Sequence, residues 1–386
     1  MGILRVYLAV CVVAAHSEKV LPWAMHSGRE AVQIFFIVSG FYMQFVLASG
    51  KYGSVLSFYR SRILRIYVPY FLVLLCVVGM SFCWWGLGFG GWLTLSQTVD
   101  LREGVSFSSA FAAFTNFSLI FQDWVMFLES SPEGMLQFSQ NFQNSEKPLW
   151  LYLWIPQAWS VGVELAFYAL APVLVSKLSW KRVALVALAS LVLRVWFYSM
   201  TGLTNDPWSY RFFPFELSNF LLGMLGCRLM LSNPLYFRKL RKRSAAFCNY
   251  LGWCTIPYFG ACLLLFLFGH THLSSILHRS SVEHFDLLAW GAGQLLMALW
   301  VIIIPILFTL SRDLKWDRNL GELSYPVYLL HFTIALIVGA YCSRFNVPML
   351  QGEFTTLTVL VLSYLLQRVF LQPFETWRQR VAGGYS

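Results

Sequence analysis

Apolar stretches close to the length of a membrane span recur along the whole chain, and this limits the possible folds more than any other feature. They fall at roughly 3–21, 31–49, 66–90, 150–175, 182–200, 212–231, 248–269, 285–310, 322–342 and 354–372. Of the 386 residues, 58% are hydrophobic and only 12% are charged. Soluble domains carry about twice that charge. The expectation is an all-α, polytopic integral membrane protein with about ten transmembrane helices. The first stretch starts within a few residues of Met1 and is not followed by a small-residue cleavage site, so it reads as an uncleaved signal anchor.

The net charge of +10 takes its meaning from where the bases fall. One set of loops holds Lys51, Arg60, Arg62 and Arg65, then Lys177, Lys181 and Arg182, then the run "FRKLRKR" (237–243) and Arg312, Lys315 and Arg318. The opposite loops hold fewer bases among many acids. Basic loops mark the cytoplasmic side, so both termini are placed there and nucleic-acid binding is excluded. The longest loop, near 92–148, is then extracytoplasmic, and its aromatic part "FTNFSLIFQDWVMFL" (114–128) is expected to pack back onto the membrane. Four of the seven histidines crowd into "HTHLSSILHRSSVEH" (270–284) without a recognised ligand spacing, and the eight cysteines form no CxxC pair. No metal is expected. The chain shows no internal repeat and no appended soluble domain, so residues 1–386 read as one transmembrane domain.

Several polar residues sit where a membrane makes them costly. Arg5 and His16 are eleven positions apart, ~1100° of helix, so both fall on one face with ~16 Å between them along the axis. An anion held by Arg5 could reach an arm of that length toward His16, and coenzyme A has that shape. The pair alone also fits a plainer account, an anchoring arginine and a core histidine. In "QIFFIVSGFYMQF", Ser39 and Gly40 allow close approach of either a helix or a ligand. Arg62 and Arg65 share a helix face, as phosphate binding needs and as inside-positive charge would also place them. Glu164 is a lone carboxyl in an apolar run and needs a partner, either His16 or an arginine. Tyr325, Tyr328 and His331 form a stripe at i, i+3 spacing.

Together these pieces resemble acyltransferase family 3, membrane proteins that O-acylate carbohydrates and other acceptors. The resemblance rests on Arg5 with His16, "FFIVSGF" (35–41), "RILRIYVPY" (62–70), "WSVGVELAFY" (159–168) and "LGELSYPVYLLH" (320–331), in that order. The chain departs from the family pattern at Gln33, where an acid is usual, and at Val6, Tyr7 and Val68. The resemblance implies that an acyl group, acetyl in the simplest case, moves from cytoplasmic acyl-CoA to a hydroxyl of a surface or lipid-linked carbohydrate in a bacterial inner membrane. It makes Arg5, Arg62 and Arg65 the coenzyme A contacts, His16 the general base and Glu164 its orienter. Ser39, Gly40, Trp159, Ser160, Tyr325 and His331 would form the substrate or oxyanion pocket. Membrane lipid and the saccharide are the partners it implies. A transporter or flippase of a lipid-linked glycan is the alternative that the interior polar residues leave open.

Overall fold

The computed structural model describes residues 1–17, 26–87, 106–251, 287–345, 347 and 350–382. The expected seventh span and the histidine-rich stretch lie almost wholly outside these residues. The chain opens with α1 (Gly2–His16), α2 (Gly28–Ala48) and α3 (Val55–Gly86). The amphipathic α4 (Phe107–Ser118) follows, then a small antiparallel hairpin of β1 (Leu128–Ser130) and β2 (Leu136–Phe138). Next come α5 (Trp159–Lys177), α6 (Trp180–Thr201), α7 (Phe213–Ser232) and α8 (Pro234–Leu251). The last group is α9 (Leu287–Ser311), α10 (Lys315–Glu322), α11 (Ser324–Arg344), α12 (Gln351–Leu366) and α13 (Gln372–Ala382). By length and composition, seven of the described helical segments can cross a membrane, or eight if the pair α7–α8, bent by 84°, is one span.

Local chemistry sets several boundaries that apolar length alone misplaces. α3 begins at Val55, not near 66, because Ser54 caps it by accepting a hydrogen bond from the Ser57 amide at 3.1 Å. The segment bearing Arg62 and Arg65 is therefore helix, not loop. α5 begins at Trp159, not at 150, since short 3₁₀ turns occupy 149–152 and 156–158. The basic run "FRKLRKR" is also helical and lies within α8. Ser27 and Glu30 form a reciprocal capping box at the start of α2, with amide–side-chain distances of 3.0 and 3.2 Å. The start of α1 is held in trans, where the Asp317 carboxylate of α10 accepts from the amides of Gly2 at 2.7 Å and Ile3 at 2.9 Å.

α2 is the centre of the bundle and makes its most extensive contact with α7. A Cβ on Gly40 would collide with the Phe220 carbonyl, and a Cβ on Gly223 would collide with the Ile37 carbonyl. Mutual glycines thus let the two backbones touch, as small residues do between membrane helices. Phe220 stacks on Phe36 and Phe167 at ring distances of 4.7 and 4.2 Å and closes the seam.

A wholly buried polar cluster ties α6 to the same pair. Arg194 donates to Glu216 at 2.7 Å, with both side chains 0% exposed. Gln33 donates to both Glu216 oxygens at 3.2 and 3.3 Å, and Asn219 donates at 2.7 Å. This explains the departure at Gln33. An acid there would set a second carboxylate against Glu216, whereas an amide supplies donors.

The segment 106–158 packs over one end of the bundle. Asn116 pins it by donating to the Tyr152 carbonyl and accepting from the Trp154 amide, both at 2.9 Å. Phe107, Phe114, Phe117, Phe121 and Trp124 are exposed along it, an apolar face suited to a bilayer surface. Asp123 in this segment is buried, and burial pushes its carboxyl up to about 7, against the lowering effect of hydrogen bonds from its own and the Trp124 amides.

Two outcomes follow from this packing. Gly40→Ala forces α2 and α7 apart and should cost about 1–3 kcal/mol, read as a lower thermal midpoint in detergent; an unchanged midpoint would contradict the seam. The Asp123 carboxyl is raised in the fold, so its stabilisation relative to the unfolded chain is full below about pH 4 and lost as the pH rises through about 7. The midpoint of the wild type should therefore fall across that window relative to Asp123→Asn, and parallel curves would refute it.

Candidate active site

At the end of the bundle where α1 begins, a cavity of about 560 Å³ opens. Arg5 of α1, Arg62 and Arg65 of α3, Arg318 of α10, Lys51 and Arg312 line it. α3 does place Arg62 and Arg65 on one wall, as their spacing requires. Among the described residues, Arg5, Arg65 and Arg318 make no hydrogen bond or ion pair, and the carboxylates of Glu322 and Glu375 line the same cavity. Arg62 is buried, donates to the Tyr52 hydroxyl at 3.0 Å and lies 5.7 Å over the Phe58 ring. It is a fixed part of the wall. Tyr42 also lines this space. Several guanidinium groups converging on one cavity suit a multiply charged phosphate ligand.

Deeper in, Glu164 accepts hydrogen bonds from both the Ser39 and the Tyr168 hydroxyls. Tyr325 donates to the Ile66 carbonyl at 3.2 Å. At the inner limit the Ser160 and Tyr328 hydroxyls are 2.7 Å apart, and Tyr328 donates to the Gln157 carbonyl at 2.9 Å. Tyr328 is the last cavity-lining residue of its stripe on α11.

His16 lies beyond this limit. It faces a second pocket, of about 340 Å³, with Phe332, Gly339, Ser343 and Gln351. Its Nδ1 is 2.9 Å from the Val12 carbonyl. A carbonyl only accepts, so Nδ1 carries the hydrogen and Nε2 keeps its lone pair, as a general base requires. His331 repeats this arrangement one layer inward. Its Nδ1 donates to the Tyr328 carbonyl at 2.6 Å, it is 0% exposed, and its Nε2 has no partner. The ring centres of His16 and His331 are 5.0 Å apart, and those of His331 and Tyr328 are 5.7 Å apart. The two pockets are thus joined by a file of three rings.

This geometry corrects several sequence expectations. The cavity lined by Arg5 does not extend to His16; Tyr328 closes it, held by Ser160 and Gln157. Glu164 does not orient His16, because its hydrogen bonds go to Ser39 and Tyr168 and the Val12 carbonyl orients His16 instead. Gly40 faces α7, not a pocket. Trp159 lies outside the cavity, 4.4 Å under the Arg211 guanidinium, which is itself paired with Asp206. Ser39 and Tyr325 line the cavity, Ser39 donating to Glu164 and Tyr325 to the Ile66 carbonyl. Ser160 lines the cavity at its partition, and His331 sits between the two pockets.

Sequence reasoning missed Tyr168, Tyr42 and Arg318. Tyr168 is four residues after Glu164 and Tyr42 three after Ser39, so helical spacing from residues already singled out points to both. Arg318 was hidden among loop charges that serve topology. Among the described residues, no cluster of His, Cys, Asp and Glu could hold a metal ion.

No curated protein and no solved structure matches the chain. The family model described as an acyltransferase domain, that of acyltransferase family 3, matches residues 1–368. The chain belongs to this family and is a membrane O-acyltransferase.

Proposed function

We propose that the enzyme moves an acyl group, acetyl in the simplest case, from cytoplasmic acyl-CoA to a hydroxyl of a surface or lipid-linked carbohydrate in a bacterial inner membrane. The observation that carries this reading is the convergence of Arg5, Arg65 and Arg318, none with a partner among the described residues, on one cavity that ends at Tyr328. The basic groups that gather there would face the cytoplasm and keep both termini on that side.

In this reading Arg5, Arg65 and Arg318 hold the phosphates of coenzyme A, with Arg62 as the packed base of the site. The pantetheine arm runs past the Ser39–Glu164–Tyr168 group toward Tyr328. The carboxylate holds both hydroxyls and keeps this stretch polar, which makes Glu164 a positioning residue. To pass further, the thioester displaces the Tyr328 side chain from Ser160 and Gln157. The acceptor hydroxyl enters from the pocket lined by His16, and His16 Nε2 takes its proton as the oxygen attacks the thioester carbon. The C–O bond forms, the C–S bond breaks and the thiolate leaves toward the arginine cavity. Between turnovers Tyr328 keeps the thioester away from water on the other face.

Acetyl-CoA binding and transfer separate these roles. Arg65→Met and Arg5→Met should each weaken acetyl-CoA binding by about tenfold or more, measured by calorimetry on the purified protein. His16→Ala should leave that binding unchanged and lower acyl transfer by about 10²–10⁴-fold. Unchanged binding in the arginine variants, or appreciable transfer by His16→Ala, overturns the assignment.

A further inference from the structure

We propose that His331 is a second catalytic group, carrying the proton collected by His16 to the leaving thiolate. The proposal rests on the acyl transfer described above. That reaction has an unusual spatial demand. The hydroxyl proton is released beside His16, in the acceptor pocket, while the sulfur that needs a proton departs toward the arginine cavity. A group between the two ends can carry the proton from one to the other.

His331 occupies the intervening position. Its ring is 5.0 Å from that of His16 and 5.7 Å from that of Tyr328, and Tyr328 lines the donor cavity. When Tyr328 turns aside to admit the thioester, His331 is the group directly behind it. Its hydrogen-bonding state fits the task. Nδ1 is fixed as a donor to the Tyr328 carbonyl at 2.6 Å, so Nε2 is held as an acceptor. That Nε2 is fully buried and has no partner. A ring nitrogen that is held as an acceptor and has no protein partner can take up a proton and give it on.

The steps balance. The acceptor O–H breaks and its proton goes to His16 Nε2 as C–O forms and C–S breaks. The imidazolium of His16 passes its Nε2 proton to His331 Nε2. The His331 imidazolium, still donating through Nδ1 to Tyr328, gives the Nε2 proton to the thiolate. Both imidazoles return neutral, and the products are the ester and the free thiol.

The test uses membranes from a deletion strain carrying each variant, supplied with radiolabelled acetyl-CoA and scored for label in the glycan and lipid fractions. His331→Gln should lower the rate at saturating acetyl-CoA by about 100-fold, with acetyl-CoA binding to the purified protein unchanged. Because the two histidines act as one unit, His16→Gln with His331→Gln should lose no more than His16→Gln alone. Free imidazole should restore saturable activity to His331→Gly, which also decides the matter if the glutamine variant does not fold. Retention of the rate within about threefold in His331→Gln, a double variant losing the product of the two single losses, or a folded His331→Gly that imidazole does not restore would each overturn the relay. Should wild-type membranes incorporate no label, the acyl-transfer reading fails instead.

Discussion

A polar side chain inside a membrane-spanning bundle has to find a partner or a cavity, and this constraint organises the whole molecule. Most of the interior polar groups are spent on structure. Arg194 and Glu216 neutralise each other under Gln33 and Asn219. Arg228 of α7 is absorbed by Gln44 at 2.9 Å and by the Leu178 carbonyl at 2.7 Å. Arg5, Arg65 and Arg318 on the arginine-lined cavity and Nε2 of His331 behind it are among the groups without a partner among the described residues.

The same constraint shapes how the site is divided. α1 and α11 pack side by side, so Arg5 and His16 on one helix run beside Tyr325, Tyr328 and His331 on the other. Each turn of α11 contributes one ring to the path. The first lines the cavity, the second closes it and the third sits against His16. A protein that brings a water-soluble donor to one face and an acceptor to the other has to keep the two aqueous sides apart. Tyr328, held by the Ser160 hydroxyl and the Gln157 carbonyl, lies at the inner limit of the arginine-lined cavity.

The membrane architecture was legible because a bilayer enforces length and hydropathy with few exceptions. The site was legible in its residues but not in its connections. Arg5, Arg62, Arg65 and Ser39 do gather on one cavity, since helical periodicity fixes which face they share. The link from Glu164 to His16 failed because it is a contact between helices, and helix spacing carries no information on which neighbour a side chain meets. Gly40 failed for a related reason: a glycine reads alike whether a ligand or another backbone approaches it, and here α7 does. Gln33 departs from the family pattern within its own helix and is a matched donor once Glu216 is seen across from it.

The central claim is that one ligand spans from the arginine cavity to the histidine pair. A structure of the protein bound to a non-transferable thioether analogue of acetyl-CoA tests it most directly. The account predicts phosphate density against Arg5 and Arg65, the Tyr328 side chain displaced from Ser160, and the sulfur beside His331. Phosphates bound elsewhere, or an intact Tyr328–Ser160 contact with the arm turned away from the histidines, would contradict it.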